Sequence, residues 1–368
     1  MADIYEPTIT VTDVENTVTR GGGMAGVVVI IGAFPTDDAT IKSYTDLRTA
    51  LSELQGDSGI ISEEALGYYA LPYLFNRDNG LGIEELLVVN ITTQGDTDLD
   101  YDLTNDKLAA ALDLIKDEHF NILFVADVLT ETQLANIKSL RDDMYQNQLP
   151  WGLIAPVSVS TGNEVKAVSA VFATGGAYKL ITTQKQLSTD AEPLSLVNTA
   201  AYDVAITAGN LVNVSETGKI IPGVIGLNTK EALSTIYESI LKCGLHSQKV
   251  INRRLGQVIT NNVMTPTGRD MAIERTKDYI VVDLALRDIF GNPNINPTYD
   301  YIRGMFKGRR QAYLDLSLIN NMTYEITECS SRCVKAELDL DIPDIIDEVR
   351  LFVKVTPSGV TINTQTQS

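Results

Sequence analysis

The sequence predicts an α/β protein, α+β overall, with an alternating α/β core, a C-terminal domain of mixed character and an extended β arm at each end. Three observations predict it. Short apolar runs rich in β-branched residues alternate with helical patterns from Ala25 to about Leu245, the signature of an α/β layer. From Val250 the composition changes and turns basic. Both ends carry strand periodicity or polar character, with no apolar helical stripe to pack on a core.

Composition bounds the function before any motif is read. The chain has 368 residues, enough for two domains at roughly 100–200 residues each. Hydrophobic residues make up 44% and charged residues 21%, which excludes collagen-like, low-complexity and wholly disordered classes. Lys and Arg total 29 against 48 Asp and Glu, and a net charge of −19 repels a phosphate backbone, so no nucleic-acid partner is expected. The start lacks a basic signal region, and the longest apolar run, Met24 to Phe34, is short of the ~18 residues a membrane span needs. Neither signal-peptide export nor membrane insertion is expected. Cys243, Cys329 and Cys333 are too few for a disulfide framework and fit a reducing compartment such as cytoplasm.

Taken in order, residues 1–22 form an N-terminal arm in which Thr8, Ile9, Thr10 and Val11 alternate as a strand does. Gly21 to Gly23 supply a hinge, and Val27 to Ile31 read as a strand buried on both faces. The α/β core is expected over 23–248, with strands at Val27–Ala33, Glu85–Ile91, Asn121–Ala126, Trp151–Pro156 and Tyr178–Thr182. Leu108, Leu112 and Ile115 share a helical face. Thr130 and Gln133 open a second helix with a capping box, and its Leu134, Ile137, Leu140 and Met144 face one way. A further helix is expected from Thr229 through Leu233, Ile236 and Ile240 to a stop at Gly244. A basic domain spans 249–348. Within it, 249–310 carries eleven Lys and Arg against six acids, a net +5 where the rest of the chain sums to −24. Cys333–Leu340 is strand-like, and residues 349–368 form a C-terminal strand arm with Leu351, Val353 and Val355 on one period, followed by a turn at Pro357 to Gly359.

The motifs that carry chemistry are largely missing. His119 and His246 are the two histidines, and neither belongs to a nucleophile elbow, a zinc-protease helix or a phosphate-binding loop. The glycines between Arg20 and Gly26 precede the first strand, whereas a dinucleotide site needs them after it, so a backbone hinge is the better reading. Cys243 with His246, and Cys329 with Cys333, have spacings compatible with zinc, but the two pairs lie far apart in the chain and small buried hydrophobes are the plainer reading. Asp96, Asp98, Asp100 and Asp102 alternate like half a calcium loop, yet Tyr101 stands where the turn glycine belongs and Lys107 where the bidentate Glu belongs. An acidic loop leading to a helix cap at Thr104 is expected instead. No cofactor, no metal and no enzymatic activity are expected. What remains is the basic cluster Arg303, Lys307, Arg309 and Arg310, interleaved with aromatics; in so acidic a chain it reads best as a patch complementary to an acidic protein surface.

The order of parts resembles the sheath protein of contractile injection machines: phage tails, tailocins and related devices. Met24 to Pro35 is similar to that family's first core strand, which follows an extended N-terminal arm. Ile41 to Leu47, Leu71 to Gly80 and Leu86 to Ile91 resemble its helix, helix and strand. Asn198 to Asn210 is similar to its small-residue helix, and Val282 to Phe290 to a helix that shorter, diffocin-like sheaths carry near their inner domain. The resemblance implies a non-enzymatic virion or tailocin tail subunit, assembled in the host cytoplasm, that polymerises with itself as stacked hexameric rings and contracts. It implies an inner tail tube, a baseplate and a tail terminator as partners, and strand exchange between subunits. On that reading the 249–348 domain faces the tube through Arg303, Lys307, Arg309 and Arg310. Thr8, Ile9, Thr10, Val11, Leu351, Val353 and Val355 then serve as linking strands. Another tail assembly protein such as a tube subunit, or an α/β enzyme with a small-molecule cofactor, are the alternatives.

Overall fold

The computed structural model describes residues 26–37, 40–56, 61–75, 83–95, 98–147, 149–182, 185–188, 194–216, 226–229, 236–252, 257–262, 264–284, 296–330, 333–343, 350–356 and 359–365. Its first half runs β1 (Val27–Gly32), β2 (Ile41–Tyr44), α1 (Leu47–Leu54), α2 (Leu66–Leu74) and β3 (Glu85–Asn90), then a short ribbon of β4 (Thr93–Gln94) and β5 (Leu99–Asp100). It continues through α3 (Asn105–Ile115), β6 (Ile122–Val125), α4 (Glu131–Gln146), β7 (Gly152–Val157), α5 (Gly162–Val171) and β8 (Ala177–Thr182). The six-stranded sheet has the order β2-β3-β1-β6-β7-β8, all parallel except β2, which lies antiparallel on β3.

A parallel sheet needs both faces covered, and period-2 alternation distributes its side chains accordingly. Val29, Ile31, Val89, Leu123 and Leu153 pack with Leu108, Leu112, Leu134, Ile137 and Val165 of α3, α4 and α5. Val28, Ile30, Val88, Phe124 and Ile154 face the other way, toward Leu54 of α1 and Leu71 of α2. The capping box at Thr130 and Gln133 is present, and Thr104 caps α3 through the Lys107 amide at 3.2 Å.

The parallel strands follow a doubly wound order whose direction reverses at β1, the point where such sheets open a crevice for ligands beyond their carboxyl ends. Here that crevice is filled. Ala33, Phe34 and Ala126, which follow β1 and β6, are buried. The Asn90 Oδ1 and Thr92 Oγ1 atoms accept from the Phe34 amide at 3.2 and 3.0 Å, and the Thr92 hydroxyl donates to the Phe34 carbonyl at 2.8 Å. The Gly67 amide of α2, of the kind that would otherwise meet an anion, donates to the Ala33 carbonyl at 3.0 Å. A Cβ on Gly67 would come within 2.8 Å of the Phe34 ring, so the plug and the helix fit only with glycine there.

The second half carries β9 (Lys185–Ser188), α6 (Leu196–Gly209), β10 (Gly226–Thr229), α7 (Tyr237–Lys242), β11 (Ser247–Asn252) and β12 (Gln257–Asn262). Then come α8 (Met271–Asp283), α9 (Asn296–Asp315), β13 (Asn321–Ser330), β14 (Cys333–Asp341), β15 (Arg350–Thr356) and β16 (Gly359–Gln365). The small-residue helix α6 is buried nearly throughout and covers the β6, β7 and β8 side of the sheet with Val197, Ala200, Ala201 and Val204. A separate core of Ile280, Leu284, Ile302, Phe306, Tyr313, Leu318 and Met322 joins α8 and α9 to the β13–β14 ribbon.

The structure bears out the α/β class and every strand expected in the sheet, and it corrects several local readings. Thr229 ends strand β10, paired with β9, and the helix that stops at Gly244 begins at Tyr237; the apolar period through Leu233 read as helix across a boundary. Gly244 has φ of +69°, the left-handed stop expected of it. Ile41–Tyr44 is an edge strand, and its helix starts only at Leu47, after the Asp46 cap. The Val282 to Phe290 helix is seen only as the end of α8, since 285–295 lie outside the described residues. Thr8, Ile9, Thr10, Val11 and the hinge glycines also lie outside them.

Candidate functional site

The four basic residues singled out from the sequence all fall on α9, which is helical across Gly304 and Gly308. The helix separates them into two pairs. The Arg310 guanidinium donates to the Met322 carbonyl at 3.1 Å and to Asn321 Oδ1 at 3.0 Å, so it ties the helix to β13. Arg309 lies 3.2 Å from Asp283 Oδ1 of α8, and the Tyr313 hydroxyl donates to the other oxygen of that carboxylate at 2.7 Å. Burial, with Asp283 beside it, pushes the Tyr313 phenol well up. Arg310 is half-buried and Arg309, although exposed, reaches across to α8, so both tie α9 to neighbouring elements.

Arg303 and Lys307 point away from this core and are exposed, one helical turn apart. Arg303 makes an i,i+3 contact to Asp300 Oδ1 at 2.9 Å, an exposed pair of the kind worth ~0–1 kcal/mol. The backbone between them is bare: a Cβ added at Gly304 or Gly308 would meet nothing within 4 Å. Underneath, Phe306 packs edge-on against Tyr324 at 5.2 Å, and the Tyr324 hydroxyl donates to the Arg303 carbonyl at 3.2 Å, fixing the helix over the ribbon.

Two other bases of the +5 segment are engaged on α8. Arg275 of α8 is buried and donates to the carbonyls of Asn210 and Leu211 at 3.0 and 3.4 Å. Lys277 pairs with Glu274. These residues belong to a polar joint between the sheet and α8, in which Arg141 of α4 lies 3.3 Å from Asp278 and the Tyr178 hydroxyl donates to the same carboxylate at 2.9 Å. Burial pushes Asp278 up, with Arg141 and Lys277 pulling against it. Deeper still, Lys179 of β8 pairs with Asp203 of α6 at 3.2 Å and with Glu216, and His246 Nε2 sits 3.3 Å from the same Asp203 oxygen. Burial pushes the Asp203 carboxyl up, and Lys179 and His246 overcome it and hold the group at about 2.

Sequence reasoning missed this joint. Its only signals are a lysine inside the otherwise apolar β8 and an aspartate inside the small-residue helix, single residues that carry no period. His246 is committed to Asp203, and Cys243 sits half-buried at the end of α7, its carbonyl accepting from the Ser169 hydroxyl at 2.6 Å. Cys329 and Cys333 lie at the turn of the β13–β14 ribbon. Asp100, from the acidic loop, is engaged by Lys107 at 3.0 Å, which lowers its carboxyl. Among the described residues no group of three or more potential metal ligands converges. A groove of about 370 Å³ has apolar walls of Ile280, Leu284, Leu338 and Leu340 from α8 and β14 and is also lined by Tyr145 of α4, Arg269 and Lys277.

Leu351, Val353 and Val355 lie on β15, which pairs antiparallel with β16 over seven consecutive positions.

No family model and no curated protein matches this sequence. Solved structures do match its fold over almost its whole length. A chain from the cryo-EM structure of the anti-feeding prophage baseplate superposes with a TM-score of 0.65 at 14% identity, covering 97% of this chain and 98% of that one. The sheath tail protein of Listeria innocua gives 0.61 at 11% identity, over 89% of this chain and 98% of that one. A sheath tail protein of Desulfitobacterium hafniense gives 0.61 at 11% identity, over 93% and 100%. The fold is that of contractile tail sheath proteins.

Proposed function

We propose that this chain is a contractile sheath subunit that polymerises around an inner tube as stacked hexameric rings and shortens to drive the tube through a target envelope. The observation that carries the reading is likeness over nearly the full chain, both lobes included, to two sheath tail proteins and a chain of a six-fold symmetrised baseplate. The filled crevice at the switch point favours a structural role over the cofactor-dependent alternative, because Phe34 and the α2 amides use the groups that would recognise a ligand. The α/β sheet disfavours a tube subunit, which is expected to be a short all-β domain.

In this reading 1–22 is a linking arm, 23–248 the outer domain, 249–348 the tube-facing domain and 349–368 the second linking arm. The partners are other copies, the inner tube, the baseplate and the tail terminator, in a virion tail or tailocin particle. Of the four bases, this reading assigns Arg303 and Lys307 to the acidic tube, while Arg309, also exposed, and Arg310 tie α9 to α8 and β13. Exposed charge contacts are worth ~0–1 kcal/mol each and weaken with salt, so they suit a surface that must let go when the lattice moves.

The test is electron microscopy of the particle made with Arg303→Glu and Lys307→Glu together. The expected outcome is a folded subunit that forms empty or contracted sheaths. Tube-filled extended particles at normal yield would move the tube surface elsewhere, and failure of the natural chain to form cylinders at all would remove the sheath reading itself.

A further inference from the structure

We infer that the groove between α8 and β14 docks a second copy of this chain, which inserts the acidic loop at residues 98–102. The inference rests on the sheath reading for self-assembly, and it adds a contact between subunits that involves neither terminal arm.

The groove, about 370 Å³, is apolar and partly open. Ile273 and Val281 of α8, Leu338 and Leu340 of β14 and Ile342 just after it line the groove and are only half-buried. The acids of β14, Glu337, Asp339 and Asp341, alternate with those residues and so fall on the other face of the strand. The charged lining is Arg269 and Lys277, and both lean on the single carboxylate of Glu274, Arg269 from 3.9 Å. That distance is too long for an ordinary hydrogen bond, and the Arg269 side chain is 62% exposed. Asp278, one residue on from Lys277, is matched by Arg141. The groove thus offers apolar walls and one positive charge in excess.

Its complement is an apolar side chain flanked by acids, and the same chain presents one. In the loop, Asp98, Asp100 and Asp102 alternate with Leu99, Tyr101 and Leu103. Tyr101 and Leu103 pack against the sheet core, and Lys107 engages Asp100 at 3.0 Å. That leaves Leu99 half-exposed, with Asp98 and Asp102 exposed to either side of β5. The loop does not line its own chain's groove, so the contact joins two copies. Copies that each carry −19 repel, and setting the acids of one against the surplus cation of the next relieves that repulsion locally. Loop and groove are different patches, so the contact is heterologous and propagates round a ring or along a filament instead of closing on a pair.

The test is assembly of the full-length protein at low salt. Arg269→Glu alone, and Asp98→Lys with Asp102→Lys, are each expected to slow assembly about tenfold or more without moving the melting midpoint, the deficit shrinking as salt rises. The chain carrying all three substitutions is expected to recover most of the rate, because the reversed charges again face each other. As a second measurement, assembled protein with Leu99→Cys and Val281→Cys, in a Cys243→Ala, Cys329→Ser, Cys333→Ser background, is expected to give a ladder of covalent oligomers with a short bismaleimide, and neither cysteine alone is expected to. Normal assembly of either charge variant, no recovery in the triple variant, or tubes that give no ladder overturns the inference and leaves the sheath reading standing. If the natural chain forms no tubes, the sheath reading falls and this inference falls with it.

Discussion

Asp203 serves Lys179 and His246 at once inside the protein, and its lowered carboxyl shapes how the molecule responds to acid. Its carboxyl sits at about 2 against an ordinary 3.8, so the folded state holds it ionised more firmly than the unfolded chain does. A depressed carboxyl contributes stability above its unfolded value and loses it as protons arrive, here as pH falls from 3.8 to about 2. The contribution is on the order of 2 kcal/mol. Urea melts across that range are expected to show a shallower loss of stability in Asp203→Asn than in the natural protein. Asp278 has the opposite sign, because burial raises it and its protonated form is the one folding favours. Removing one partner of the deeper cluster, as in Lys179→Met, is expected to cost about 3–5 kcal/mol because the buried Glu216 and Asp203 carboxylates lose their shared lysine. A loss below ~1 kcal/mol would mean the cluster is not paired as described.

Among the elements, α9 makes the sharpest prediction. Gly304 and Gly308 lie in helix interior with open space where a Cβ would go, so alanine at either is expected to raise the melting midpoint of the free subunit, by ~0.5–1 kcal/mol per site. Gly152 behaves oppositely: a Cβ there would lie 2.2 Å from the Tyr178 ring, and Gly152→Ala is expected to lose stability in the same assay. The strands of the sheet were legible because each is buried on both faces and reads as an unbroken apolar run. Strand β2 was not, since Lys42 and Ser43 interrupt its four residues, and the helix before Gly244 was read too long because an apolar period does not mark where a strand hands over to it. On α9 the basic residues were visible, but the ties of Arg309 and Arg310 to neighbouring elements were not. Their partners, Asp283 and the Met322 carbonyl, come from other elements.

At the scale of the whole molecule, the two cores and the polar joint between them determine what can be changed separately. Arg310→Ala is expected to loosen α9 from β13 and lower the stability of the lobe, whereas charge reversal at Arg303 and Lys307 is expected to leave thermal unfolding unchanged. A melting curve for each variant distinguishes the two roles without any assembly assay. The crevice closed by Phe34 has a different consequence. In a doubly wound sheet that mouth is where a metabolite or nucleotide would register its presence and shift the conformation. With the Phe34 ring seated there and its backbone amide and carbonyl held by Asn90 and Thr92, that mouth is filled by the protein's own chain. On the sheath reading proposed above, a trigger is expected to arrive by contact with neighbouring chains rather than through a small molecule bound at that mouth.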